Sequence, residues 1–595
     1  MIRYAIDVSA TSSHSFGVEL VVPRPCAEHK LSLPVWIPGS YLVREFARHL
    51  FGLVAEQGGR ALPLKQIDKA SWVAHCEGEG DLVLRYRVYA FDVSVRAAFL
   101  DADRGFFNGT GVCLRVEGRE DQTHALRLIG LPDGWDVATT LAAEPGGAAH
   151  TFVAADYDEL VDHPVELGRF WRGRFDAAGV PHEFVVARAL PDFDGAALLA
   201  DTKRICETEI AFWQGQGGKA PFDRYLFLLH AVDEGRGGLE HRSSTALVAP
   251  RRDLPRRDLP WRAPAGEGAA AAPKAETGDG QLDLLGLIAH EYFHAWNVKR
   301  LKPCDFAPLD YSRENYTELL WFFEGFTSYY DDLLVMRSGL IEPARYLRLL
   351  AKTMSAVAAT PGRAVQSVAA SSFDAWVKYY RADENTPNAT VSYYAKGSLV
   401  ALAFDLTLRS EGRGSLDAVM RRLWADSGGG PIAESDIAGA LEAVGARSYA
   451  AEIAAWVHGT GELPLETLLP RLGVAVERQP ATLAQRLGIR VSESALTGVK
   501  VTHVLRGGAG ERLGLGAGDE LLGVGDWRLR RLDDAQRVLS GAGAVPWLVS
   551  RDQRLLTLTL DASSLAGGEA GALQLRRADT ASTEARALGE AWLNG

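Results

Sequence analysis

Between Leu287 and Pro303 the sequence reads LIAHEYFHAWNVKRLKP and carries His290, Glu291 and His294 in the spacing H-E-x-x-H. Residues four apart share one face of a helix, so the two imidazoles point the same way and can hold one cation. Nitrogen donors suit zinc, and a catalytic zinc keeps one position for water. Glu291 stands beside the pair, where it can take a proton from that water rather than bind the metal. The chemistry predicted is metal-assisted hydrolysis. With 14 histidines in 595 residues, the motif arises by chance on the order of 0.02 times in such a chain.

Two histidines leave the metal's shell incomplete, and a carboxylate or histidine on a following helix would close it. The acids nearby are Glu314, Glu318 and Glu324, in RENYTELLWFFEGFTSYYDDLLVMRSG, read as one helical stretch. At about 100° per residue, Glu318 and Glu324 lie about 120° apart around the axis, so both cannot face one metal. Glu318 follows polar residues and is expected in solvent. Glu324 sits among Trp321, Phe322, Phe323 and Phe326, where a carboxylate is costly to bury unless a cation pairs with it. Glu324 is therefore the expected ligand. Asp331, seven residues on, shares that face and could orient a ligand histidine; a solvated acidic pair with Asp332 is the alternative.

The segment WFFEGFTSYY resembles the W-x-N-E-G-F-A-S-Y stretch of aminopeptidase N-type zinc enzymes, with Phe323 at the asparagine position, and HEYFHAW is similar to their H-E-x-x-H-x-W. Together with a C-terminal PDZ-like module, these words more closely resemble the glycyl aminopeptidase family, PDZ-containing zinc metallopeptidases of the gluzincin type. LPVWIPGSYLVREFARHL (33–50) resembles that family's N-terminal signature. The resemblance implies one zinc per chain, held by His290, His294 and Glu324. GGLEH (237–241) resembles the G-A-M-E-N segment, which implies that Glu240 anchors the substrate's α-ammonium while Gly237 and Gly238 let substrate backbone lie alongside. Leu239 and His241 depart from that pattern. SYYAKGSLV (392–400) resembles the Y-x-K-G segment, which implies that Tyr394 stabilises the oxyanion. The activity implied is removal of the first residue of a peptide, with small residues such as Gly or Ala favoured. A PDZ-assisted endopeptidase and a non-enzymatic peptide-binding scaffold are the alternatives.

These groups need a scaffold, and the chain is long enough for several domains. The first 170 or so residues read as short strands, among them 81–91, 111–118 and 124–131, which predicts an antiparallel β-sandwich or saddle. Residues 193–215 have helical periodicity, 224–232 reads as a buried strand, and RSSTALVAP (242–250) as an edge strand. The Pro-, Gly- and Ala-rich run 251–280 is expected as a surface loop, and 281–458 as mostly helix. LGIR (487–490) and GVKVTHVLRGGAGERLGLGAGDELLGVGDWRL (498–529) resemble a PDZ domain, which implies a peptide carboxylate at Leu487, Gly488 and Ile489. One helix is expected at 532–541, a linker at 563–571 and a final helix. The fold class is thus multidomain α+β: an N-terminal β domain (1–170), a thermolysin-like catalytic domain (171–462), a PDZ-like domain (463–562), and a C-terminal linker and helix (563–595).

Formal net charge is −12, which argues against a nucleic-acid partner. Five dispersed cysteines argue against a disulfide framework. No run approaches the roughly 18 apolar residues of a membrane span, and the N-terminus alternates like a strand. The expectation is a cytoplasmic enzyme with peptide substrates and a possible C-terminal peptide ligand on the PDZ-like module.

Overall fold

The computed structural model describes residues 1–77, 79–257, 278–539, 543–565 and 571–595. Of the expected surface loop, residues 258–277 lie outside the described residues, as do 540–541 of the expected helix and 566–570 of the expected linker. The chain divides into two compact units. One comprises residues 1–316 and 424–433, the other 317–423 and 434–595.

In the first unit, an eight-stranded sheet and two four-stranded sheets form the N-terminal β region. Alternation drives it: in Leu82–Tyr89, Leu82, Leu84, Tyr86 and Val88 are buried while Arg85, Arg87 and Tyr89 face solvent, the period of a half-buried strand. Pairing is antiparallel, except that Ile2–Asp7 runs parallel to His124–Ile129. The strand expected at 111–118 shrinks to Arg115–Val116, because Gly109–Val112 forms a helical turn. The hydroxyls of Tyr86, Tyr157 and Tyr4 donate to the carbonyls of Val112, Cys113 and Leu114 at 2.8, 2.8 and 2.7 Å. Buried carbonyls need partners, and here tyrosines supply what a neighbouring strand would have.

A five-stranded sheet follows, in the order Phe170–Ala177, Val180–Ala187, Tyr225–Val232, Ser244–Pro250, Gly237–Glu240. Every residue of Tyr225–Val232 is buried, as a central strand with parallel neighbours requires. The expected edge strand is a correction: Ser244–Pro250 is internal and wholly buried, and the edge belongs to Gly237–Glu240, paired on one side only. A four-residue strand opening on two glycines offers little side chain to cover a second neighbour. The helices Gly195–Gln214 and Asp279–Phe293 pack on each other, and the latter lies against this edge.

In the second unit, the stretch read as one helix begins only at Leu320 and is broken at Glu324, between Leu320–Phe323 and Gly325–Arg337. Glu318 lies outside any helix and exposed, so the argument from angles around one axis fails for it. The burial argument stands: Glu324 is 2% exposed. Helix Gly325–Arg337 packs against Ala395–Ser410 at two glycines; a β-carbon on Gly325 would stand 2.6 Å from the Gly397 Cα. Only glycine permits that approach.

The PDZ-like sheet runs Ile489–Ser494, Gly498–Val504, Glu520–Val524, Ala544–Arg551, Arg554–Asp561 over its own core around Trp547 and Leu487. Asp534–Leu539 forms the expected helix. Two further short helices, Leu483–Leu487 and Ala509–Leu513, went unforeseen; the first announces itself through a Thr482–Gln485 capping box. Asn388 clasps this module, donating to Val504 O at 2.9 Å and accepting from Arg506 N at 2.8 Å. The C-terminal helix, Thr583–Asn594, buries Trp592 and docks on the helical part of the same unit.

Candidate active site

His290 lies in the last turn of helix Asp279–Phe293, and His294 caps it. Their ring centroids are 4.7 Å apart at 87°. His294 is 1% exposed, and its Nδ1 donates to Asn297 O at 2.7 Å. That bond places the proton on Nδ1 and leaves Nε2 as the lone-pair nitrogen, the usual second partner of a metal-ligating histidine. The donor set therefore fits zinc. The Asn297 carbonyl had no signal in the sequence, because a backbone group carries no residue code.

Glu291, 5% exposed, faces the edge strand. A β-carbon on Gly238 would overlap Glu291 Oε1, so this strand approaches the helix through a missing side chain. Gly238 and Glu240 share a strand face, and Glu240 follows Gly238 toward the helix. One donor atom from each of Glu240, Glu291 and His294 lies within 4.8 Å of the others. Glu240 is 4% exposed, and its Oε1 has no hydrogen-bond partner among the described residues. Two buried carboxylates beside an imidazole favour a cation or a protonated amine between them.

In the second unit, Glu324 and Tyr394 come together because of the Gly325–Gly397 crossing. A β-carbon on Gly325 would also stand 2.9 Å from Tyr393 O. Tyr394 precedes helix Ala395–Ser410, and its hydroxyl lies 3.2 Å from that of Tyr380. Burial first, then the Glu324 carboxylate, holds the Tyr394 phenol well above its ordinary range, so it stays a proton donor. Tyr393 is fully buried, as packing residues are. Tyr380 was missed, although it sits in a tyrosine-rich stretch. Asp331 stands half-buried on Gly325–Arg337. Leu487 ends a short helix, Gly488 takes a left-handed φ of 66°, and Ile489 opens the edge strand of the PDZ-like sheet.

Three sequence-family models match the chain: the peptidase M61 N-terminal domain over residues 3–169, M61 glycyl aminopeptidase over 283–400, and the PDZ domain over 476–549. A crystal structure of an aminopeptidase N family protein from Idiomarina loihiensis is 35% identical over 100% of both chains, with a TM-score of 0.88. The chain belongs to the M61 glycyl aminopeptidase family. As a member it is a metallopeptidase, with the multidomain α+β architecture expected. An M1 zinc metallopeptidase from Deinococcus radiodurans is 14% identical over 78% of this chain and 95% of its own, TM-score 0.47. Aminopeptidase A from Legionella pneumophila, in complex with aspartic acid, is 13% identical over 94% and 56%, TM-score 0.46. No curated protein matches. No helix of the described residues is long and apolar enough to cross a membrane.

Proposed function

We propose that this M61 peptidase is a zinc aminopeptidase that removes the first residue of peptides. His290, His294 and Glu324 would hold the metal, which when bound supplies a Lewis acid that polarises the scissile carbonyl and acidifies water. Glu291 takes the proton of the attacking water and returns it to the leaving amine. Glu240 pairs with the substrate's α-ammonium and fixes which peptide bond reaches the base. Gly237 and Gly238 leave the strand edge open for substrate backbone. Tyr394 donates a hydrogen bond to the oxyanion. Asp331 orients a ligand histidine, and Leu487, Gly488 and Ile489 receive a peptide carboxylate. Small terminal residues such as Gly or Ala are favoured, and the enzyme works in the cytoplasm. The chain divides into a β domain (1–170), a thermolysin-like catalytic domain (171–462), a PDZ-like domain (463–562) and a C-terminal segment (563–595).

One observation carries this reading: the Glu240 carboxylate is buried, has an oxygen without a hydrogen-bond partner among the described residues, and lies beside Glu291 and His294. An ammonium answers that unpaired oxygen. The family supports the third ligand, since its model spans both HEYFH and EGFTSYY. The test compares dipeptide amides with free and acetylated amino termini, with and without a chelator. Cleavage of the free amines only, abolished by chelation and restored by zinc, is expected. Equal cleavage of acetylated substrates would remove Glu240 from its role.

A further inference from the structure

The signature LPVWIPGSYLVREFARHL at 33–50 has no part in the chemistry above, yet its turn lies against Glu240. Gly39 has φ +89°, and a β-carbon there would stand 2.5 Å from both carboxylate oxygens of Glu240. The main chain at residue 39 thus packs flat on the carboxylate and walls one side of it. Two constraints converge on this residue. The backbone occupies the left-handed region that side chains disfavour, and the space a side chain would need is taken by Glu240.

The turn is tied down from both ends. Trp36 is fully buried and its Nε1 donates to Asp310 O at 2.8 Å, while Val35 N donates to Tyr311 O at 2.9 Å. Ser40 N donates to Ile37 O at 3.0 Å, and the Arg44 guanidinium grips Ser40 Oγ at 2.6 and 3.0 Å. Gly39 and Glu240 both line a cavity of about 620 Å³.

We propose that the Trp36–Tyr41 turn is the wall of the subsite for the substrate's terminal α-ammonium, with Gly39 the positioning residue that sets the Glu240 carboxylate. The inference rests on the reading of Glu240 as the amine anchor. It assigns the N-terminal β region a share in recognition: a wall packed on one face of the carboxylate steers the ammonium, with its three donors, onto the oxygen that has no partner among the described residues.

Inhibition constants for alanine hydroxamate and propionohydroxamate test this, since both present the same metal-binding group and only the first carries an amine. The wild-type zinc enzyme should favour the amine on the order of 10- to 100-fold, the size of a charged hydrogen bond. Gly39→Ala should bring that ratio near one while leaving zinc content and the propionohydroxamate constant in place. A merely structural lesion would weaken both ligands alike and overturn the proposal. Arg44→Ala, which unties the turn and keeps Gly39, should lower the ratio part-way and serves if Gly39→Ala does not fold. An unchanged ratio in both variants, while Glu240→Gln collapses it, overturns the inference alone. If Glu240→Gln also leaves the ratio intact, the amine anchor falls and the inference with it.

Discussion

Two clusters of buried carboxylates, one in each unit, solve the problem of burial in opposite ways. In the second unit, Asp405 is fully buried and accepts from Tyr329 OH at 2.6 Å, Arg409 Nε at 2.9 Å and Leu416 N at 2.8 Å. Asp417, 3% exposed, accepts from Tyr330 OH, Arg337 and Arg409 at 3.0, 3.1 and 3.3 Å. Burial works against the charge of Arg337 and Arg409, but the two aspartates outweigh it and hold both guanidinium groups above their ordinary range. The Trp592 indole joins through Tyr329 at 2.9 Å, so the cluster also fastens the C-terminal helix. In the first unit, Glu240 and Glu291 are also buried, yet they face each other and one Glu240 oxygen lacks a hydrogen-bond partner among the described residues. A satisfied buried charge holds a fold together. A buried charge aimed at another of the same sign is arranged for something that arrives from outside.

The strongest way to break the contrast is Glu291→Gln. Turnover should fall on the order of 10²- to 10⁴-fold, the share of a general base, while metal analysis still finds zinc and the melting temperature holds. Retained turnover would refute the base. Asp417→Asn should do the reverse, costing about 3–5 kcal/mol in denaturant unfolding by stranding its arginine partners, with activity per folded molecule preserved. Glu240→Gln is its counterpart: stability should hold or rise slightly, because an ill-matched charge is gone, and kcat/KM for free-amine substrates should drop.

The units should also differ in acid. Burial lowers His124 and His182, both in the first unit, to about 4. Between about 4 and the ordinary value near 6.5, the unfolded chain binds protons that the folded chain refuses. Stability from these groups is therefore complete above about 6.5 and is lost as pH falls toward 4. His182→Gln, which keeps a polar partner for the Tyr292 hydroxyl now 2.8 Å away, should flatten this slope in urea titrations at pH 7.5 and 5. An unchanged slope would show that His182 is not its source. The smallest effect is expected at Asn388→Ala. Losing two hydrogen bonds should weaken the attachment of the PDZ-like module by about 1–2 kcal/mol, read as faster amide exchange around Val504 and Arg506 with catalysis unaffected.

Much of the candidate site was legible because its residues come in local words. His290 and His294 lie one helical turn apart with Glu291 beside them, so spacing alone reveals the face the two imidazoles share. Glu324 is buried, as its aromatic neighbours led one to expect, although the helix geometry first used to separate it from Glu318 does not hold. Strand alternation gave Leu82–Tyr89, whereas at 111–118 it misled, because the tyrosines that satisfy those carbonyls come from residues 4, 86 and 157. The order of strands at the sheet edge was equally hidden, since pairing partners are a matter of distance in space and not of pattern in sequence.

What the sequence determined by itself was the chemistry: imidazoles one turn apart, a carboxylate beside them, an acid amid aromatics. Side-chain type and helical or strand period need no tertiary information. Only the tertiary structure decided how those groups are aimed. The Asn297 carbonyl fixes the face of His294, Gly238 and Gly39 bring backbone onto Glu291 and Glu240, and the crossing of Gly325 and Gly397 sets Glu324 beside Tyr394. Each depends on main chain: a carbonyl that no residue code announces at His294, and at the glycines backbone filling a space that a missing side chain leaves.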